Sequence, residues 1–305
     1  MKFIFLLIPF FVLSQEHKAS GLVLDKDTKG PIPYVNISIL KSQMGTSSDE
    51  DGSYSLIIKR EDLEKKVKLS SLGYKDTTFV VSDFLKFNKI ELSSLSEQLE
   101  EVMIKENFKE KFLVINTVKK KYIVGGIGGL NYAPYIFALH FPFKKDYSEI
   151  DVIDKAKVHL NKVHFLGGNR SMPSKFRFRL FSVGKDSLPG ADLIEEDIII
   201  TTVKNQREVE IDLSEYNLTF SEEGVFVAIE WLYIPFNAYE YTYTKGKSNK
   251  KYIEIRYAPR ISWLKQKDKK YRLALFTSGQ WLNFKMPYIK EDEYIIPAIS
   301  LTLSN

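Results

Sequence analysis

Tyr34-Val35-Asn36-Ile37-Ser38-Ile39-Leu40, followed after a short connection by Asp51-Gly52 and then Ser53-Tyr54-Ser55-Leu56-Ile57-Ile58, decides the fold class. Successive side chains of an extended chain point to opposite sides, so Val35, Ile37 and Ile39 share one face. Asp-Gly is the strongest short hairpin signal in the region, because a tight turn needs positive φ at its centre. Upstream, Pro31 and Pro33 flank Ile32 and mark an edge-type entry, since proline cannot donate to a ladder. Further strands are expected at residues 21–24, 67–72, 77–81, 90–92 and 102–104. Short strands at this spacing, without long helices, read as a small β-sandwich over residues 20–105.

Residues 107–122 have a different rhythm. Phe108, Phe112, Ile115, Val118 and Tyr122 recur at helical spacing, with lysines filling the other positions, which predicts an amphipathic helix. The run Gly125-Gly126-Ile127-Gly128-Gly129 then reads as a joint. Residues 106–131 are therefore expected to connect two domains. Strand patterns return from 132 to 305. Phe176-Arg177-Phe178-Arg179-Leu180 alternates cleanly. Val225-Phe226-Val227-Ala228-Ile229-Glu230-Trp231-Leu232 is almost continuously apolar, as in a central strand covered on both faces. The second domain is expected to be a larger, jelly-roll-like two-sheet sandwich, which makes the chain all-β.

Composition agrees with β structure. Aromatic residues make up 13% of the 305 residues, with 21 Phe and 17 Tyr, and such rings fit a pleated, half-buried surface. The net charge of +5 is spread along the chain, whereas a nucleic-acid binder concentrates its basic residues on one stripe. There is no cysteine, which excludes disulfides, thiolate metal sites and a lipid anchor on an N-terminal cysteine. Met1-Lys2, the apolar run from Phe3 to Leu13, and Ser14 predict a signal peptide over residues 1–14 cleaved after Ser14. An exported, periplasmic or outer-membrane-associated protein follows as the expectation, at the cell surface or secreted if it travels further. No later segment reads as a transmembrane helix.

The first domain resembles the carboxypeptidase-regulatory-like family, of transthyretin-like (prealbumin) fold. The residues that carry this are Gly21-Leu22-Val23-Leu24-Asp25, Pro31-Ile32-Pro33-Tyr34-Val35-Asn36-Ile37, the segment from Gly45 to Leu56, and Leu72-Gly73-Tyr74. The tail Ser96-Glu97-Gln98-Leu99-Glu100-Glu101-Val102-Met103-Ile104 is similar to the segment that follows this module ahead of the plug of TonB-dependent receptors. About 200 residues follow it, too few for such a receptor's barrel. The resemblance implies a non-catalytic accessory module of an envelope or secreted protein.

Catalytic chemistry finds little support. None of His17, His140, His159 and His164 precedes a glutamate by three residues, and His159 and His164, five apart on an expected strand, point to opposite faces. No metal site or cofactor is expected. Asp49-Glu50-Asp51-Gly52 looks like the start of a calcium loop but lacks the further ligands; a hairpin tip explains it, with a weak calcium site left open. The glycine run lacks the Lys-Ser/Thr of a phosphate loop. Glu230 interrupts an apolar strand beside Trp231, so a buried acid with a raised pKa is conceivable there, as is a partner for Arg177 or Arg179. Trp231, Tyr233, Phe236, Tyr239, Tyr241 and Tyr243 lie within thirteen residues, and Tyr239, Tyr241 and Tyr243 share a face if extended. Exposed rings would stack on sugars or form a protein hot spot; buried, they are core. Three functions are consistent with these features. One is an interaction or scaffold protein for outer-membrane or secreted partners. Another is a glycan- or peptide-binding protein using Trp231, Tyr233, Tyr239, Tyr241 and Tyr243. The third is a hydrolase centred on Glu230.

Overall fold

The computed structural model describes residues 16–95, 111–130, 134–147, 150–165, 168–170, 172–245, 250–267, 269–285, 287–290 and 292–305. The expected signal peptide (1–14) and the strand expected at 102–104 lie outside them. The described chain is almost entirely β-structure, and no described helix is long and apolar enough to cross a membrane.

Among the described residues the first sandwich has seven strands: β1 (Glu16–Asp25), β2 (Asn36–Ile39), β3 (Gly45–Ser47), β4 (Ser53–Lys59), β5 (Lys66–Ser70), β6 (Thr77–Val80) and β7 (Lys89–Leu92). They form two sheets, β4-β1-β7 and β3-β2-β5-β6. Val23, Val35, Ile37, Ile39, Leu56, Ile58, Val67, Leu69, Ile90 and Leu92 fill the space between them, closed at one end by Phe84 of the short helix α1 (Val81–Phe84). The alternation read from residues 35–39 thus points where expected.

The second unit runs through β8 (Phe112–Ile115), β9 (Ile123–Gly129), β10 (Ile136–Phe141), β11 (Val152–Asn161), β12 (Val163–Phe165), β13 (Gly168–Arg170), β14 (Ser174–Val183), β15 (Pro189–Asp192) and β16 (Ile198–Thr202). It continues with β17 (Glu208–Asp212), β18 (Val225–Trp231), β19 (Ala238–Thr244), β20 (Lys251–Gln266), β21 (Arg272–Thr277), β22 (Gln280–Phe284), β23 (Tyr288–Lys290), β24 (Glu293–Pro297) and β25 (Ile299–Ser304). One sheet has seven strands, ordered β15-β14-β18-β10-β21-β22 with β16 beside β14. The other has nine, ordered β23-β24-β20-β11-β25-β8, with β17, β19 and β9 as additional partners. Phe137, Leu139, Phe176, Phe178, Val227, Ile229 and Trp231 from the first of these meet Ala156, Val158, Ile261, Ile299, Leu301 and Leu303 from the second. The strand expected to be central, β18, lies between β14 and β10 with all seven residues buried.

The expected helix at 107–122 is not found in its described part. Residues 107–110 lie outside the described residues, while Phe112–Ile115 is strand β8, paired with β25 in the register Leu301↔Ile115 to Ser304↔Phe112. Only a single 3-10 turn, Lys120–Tyr122, interrupts the extended chain. The glycine run is strand β9, not a joint, and it pairs with β20. Ile115 belongs to the second core, so residues 112–129 are part of the second sandwich rather than a linker.

Gly52 occupies the turn that crosses from β3 of one sheet to β4 of the other, with φ of 77°, a conformation that costs side-chain-bearing residues. A Cβ there would come within 2.7 Å of the Val23 carbonyl oxygen. Gly52→Ala is expected to lower stability by about 1–3 kcal/mol, read as a lower urea midpoint with an unchanged slope.

Candidate functional site

The outer face of the seven-stranded sheet carries an unusual load of charge. On β14, Phe176 and Phe178 turn towards the inter-sheet core, so Arg177 and Arg179 must turn the other way. On the neighbouring strand Glu230 lies directly opposite Arg177 in the ladder. The first sandwich closes over this face, leaving Arg177 and Glu230 only 1% and 2% exposed.

Each charge is matched. Arg177 Nη1 lies 3.1 Å from Glu230 Oε1, and Arg179 Nη1 donates to Glu230 Oε2 at 3.3 Å. Arg179 also grips Asp192 with two parallel hydrogen bonds, Nε to Oδ1 at 2.9 Å and Nη2 to Oδ2 at 2.5 Å. Arg177 Nη2 donates to Asp197 Oδ2 at 2.9 Å and, across the domain boundary, to the Tyr34 carbonyl at 3.2 Å. Burial pushes the Glu230 carboxyl up, but the Arg177 and Arg179 guanidiniums outweigh it and hold the group below its ordinary value. Glu230 is therefore a fixed carboxylate with both oxygens engaged. It is not the raised-pKa acid that a hydrolase would need, and its other expected role, pairing with Arg177 or Arg179, is fulfilled by both arginines together.

Further contacts tie the two sandwiches together. Tyr34, Leu232 and Ile234 form a small buried cluster across the boundary. The Tyr233 backbone nitrogen donates to Ser47 Oγ at 3.1 Å, and Thr46 Oγ1 donates to the Tyr233 carbonyl at 3.4 Å. Lys175 Nζ reaches both Tyr34 Oη, at 3.1 Å, and Glu50 Oε2, at 2.9 Å. Asp49 to Gly52 is not the expected hairpin tip but a tight turn that carries the chain from β3 of one sheet to β4 of the other, and its Glu50 already has a cationic partner. Among the described residues no group of three or more His, Asp or Glu could hold a metal ion.

The aromatic segment divides in two. Trp231 is core: its ring lies 4.8 Å from that of Tyr135, and its Nε1 donates to the Pro259 carbonyl at 2.7 Å. Tyr233 is buried and stacks on Tyr257 with centroids 4.2 Å apart, and Tyr239 is buried beside Ala258. All three are buried, so they do not form the exposed aromatic row that the spacing suggests. Tyr241 and Tyr243 do share a face of β19, as the alternation requires, and half-buried Tyr252 of β20 extends the row. Ring centroids are 6.2 Å apart for Tyr241–Tyr243 and 5.6 Å for Tyr243–Tyr252. The Arg256 guanidinium lies 3.6 Å from the centre of the Tyr241 ring, occupying one of its faces.

Of the histidines, His140 sits on β10 against the Phe226 ring, its Nε2 2.9 Å from the Glu223 carbonyl oxygen. His159 lies 3.7 Å from Glu208. The His164 side chain lies outside the described residues.

What the sequence did not expose is the space above the charged face. A cleft between the two sandwiches is lined by Lys68 and Tyr74 from one side and by Asp192, Phe276 and Trp281 from the other, with Arg177, Arg179 and Glu230 at its base. The signal that could have revealed it is the pair of arginines alternating with core phenylalanines.

Residues 19–104 match the family model described as a CarboxypepD_reg-like domain. That domain is a regulatory, non-catalytic Ig-like fold, and the match spans the first sandwich, in agreement with the resemblance carried by residues 20–105. No curated protein matches the chain.

Two predictions concern this face. Arg177→Met leaves buried Glu230 with Arg179 as its one remaining arginine partner and strips Asp197 of its own, so a loss of about 3–5 kcal/mol is expected in chemical denaturation. Adding Glu230→Leu should recover part of it, because the orphaned charge is then gone. Separately, burial lowers the His140 pKa, with a smaller opposing pull from the Glu223 carbonyl, to about 4. The unfolded chain binds this proton near pH 6.5, so its contribution is complete above that pH. It is lost as pH falls, levelling off below pH 4. The loss should reach about 1–3 kcal/mol, and His140→Gln should flatten that part of the stability-against-pH curve.

Proposed function

We propose that the protein is an exported, non-catalytic component of the bacterial cell envelope that serves as an interaction or scaffold module for an outer-membrane or secreted protein partner. The observation that carries this is the β19–β20 ribbon. β19 pairs along its length with the first half of β20, and β9 joins β20 only from Tyr257 onward. Among the described residues, the stretch from Lys251 to Arg256 is therefore paired on one edge only. One face of the ribbon presents Tyr241, Tyr243 and Tyr252. The other presents Ile253 and Ile255, which are 62% and 38% exposed.

A two-stranded ribbon with apolar residues on both faces gains little from water, and an isolated one is marginal. Burial in a partner would satisfy both faces and the open backbone edge, as in strand addition. Sugar stacking on the tyrosine row is less favoured, because Arg256 already covers one face of Tyr241. The hydrolase reading loses its candidate acid, since Glu230 is an ion-paired carboxylate. Export is supported by the pattern of Met1 to Ser14, and the non-catalytic character by the family match of residues 19–104.

The test is affinity purification of the tagged full-length protein from its native envelope. A near-stoichiometric outer-membrane or secreted protein is expected to accompany it. The double substitution Ile253→Lys, Ile255→Lys should abolish that recovery without lowering the melting temperature, and Tyr243→Ala should weaken it. Recovery of properly exported wild-type protein alone, or a partner indifferent to these substitutions, rules the proposal out.

A further inference from the structure

We propose that the cleft between the two sandwiches is a binding site for a neutral oligosaccharide. The cleft encloses about 550 Å³, within the range of sites that bury most of a small-molecule ligand. Its walls come from separate units. Tyr74 and Lys68 stand on the first sandwich, and Asp192, Phe276 and Trp281 on the second.

Charge pairing selects the ligand class. At the base Arg179 is held by Asp192, and Arg177 and Arg179 share Glu230; nearer solvent Lys68 is paired with Asp76 at 2.6 Å, and the exposed Lys75 also lines the cleft. At the base of the cleft a charged ligand would have to displace Asp192 or Glu230 from its arginines to gain a counter-charge, and breaking a largely buried pair is costly. A neutral hydroxyl meets no such obstacle. It donates and accepts at once, so it can bridge an Asp192 oxygen and a remaining Arg179 N–H without disturbing the pair. Such planar, fixed side chains offer donors and acceptors at little cost in ordering.

The apolar part of the lining fits the other half of a sugar. Trp281 is half-buried at the wall, fixed by edge contacts with Phe181 and Phe276, each at 5.3 Å between centroids. Tyr74 faces the same space from the first sandwich. Rings beside paired polar groups suit a molecule with C–H faces and hydroxyl edges. The site differs from the β19–β20 ribbon and does not depend on the partner proposed for it.

The experiment is a calorimetric titration of the full mature chain with neutral hexasaccharides (maltohexaose, cellohexaose, xylohexaose, mannohexaose) and with charged ones (oligogalacturonate and heparin hexasaccharide). At least one neutral hexasaccharide is expected to bind saturably. Trp281→Ala and Tyr74→Ala, one from each wall, should each weaken it tenfold or more, while Tyr243→Ala on the ribbon leaves it unchanged. Each variant is checked for an unaltered melting temperature. If Trp281→Ala does not fold, Asp192→Asn, which keeps the shape of the side chain and removes its charge, takes its place. Binding of charged hexasaccharides only, binding of none, or neutral binding that loses affinity from one wall alone or from neither, overturns the assignment.

Discussion

An arginine guanidinium cannot be left bare in a protein interior, and everything about the joint between the two sandwiches follows from Arg177. It sits on a strand whose alternate residues, Phe176 and Phe178, are committed to the inter-sheet core, so its direction is fixed by the pleat. Once the first sandwich covers it, its charge must be met on the spot. Glu230 does so from the next strand, Asp197 from the segment before β16, and the Tyr34 carbonyl from the first sandwich. Tyr34 supplies that carbonyl from the left-handed region, at φ of 57°, a conformation that side-chain-bearing residues hold only when their surroundings impose it. A network of this kind contributes little net stability compared with apolar packing, but removing one of its members is costly because it leaves a buried charge behind. Arg177 thus touches both units at once, through Glu230 and Asp197 in the second and the Tyr34 carbonyl of the first.

That coupling explains which parts of the fold were legible in the sequence. The faces that pack within one sandwich follow the period-two rule: Val35, Ile37 and Ile39 point inward, and Val225, Val227, Ile229 and Trp231 point between the sheets. The faces that pack between sandwiches do not announce themselves. Asn36 and Ser38 alternate with those isoleucines and look like solvent-facing residues, yet both are buried, with Ser38 Oγ donating to Asn36 Oδ1 at 2.6 Å. Alternation reports that two faces differ in polarity. It does not report whether the polar one is wet.

The helix expected at 107–122 fails for a related reason. Apolar residues at intervals of three and four are compatible with a helix, but Phe112-Leu113-Val114-Ile115 is also a short apolar run, and such runs do not distinguish strand from helix. Pairing with β25 settles the matter for β8. The glycine run is decided by space rather than by flexibility. A Cβ on Gly126 would come within 2.6 Å of the Ile261 carbonyl, and one on Gly129 within 2.7 Å of Tyr257 Cβ. These glycines permit β9 to lie close against β20, which is a packing requirement that composition alone presents as a joint.

The same distinction governs the candidate site. Six aromatic residues in thirteen suggested one surface, but β18 and the turn after it carry Trp231 and Tyr233 into the interior before the chain reaches β19. Among the described residues β9 meets β20 only from Tyr257 onward, and it is before that point, where β19 pairs with β20, that Tyr241 and Tyr243 approach the surface. Glu230 was visible as an anomaly in an apolar strand, and its chemistry was decided by the two arginines across the ladder, 51 and 53 residues away in sequence. Residues that bind something must combine fixed geometry with access. In this protein the sheet interiors have the first without the second, and the places that hold both are the overhanging ribbon and the margin where two sandwiches are locked together by buried charge.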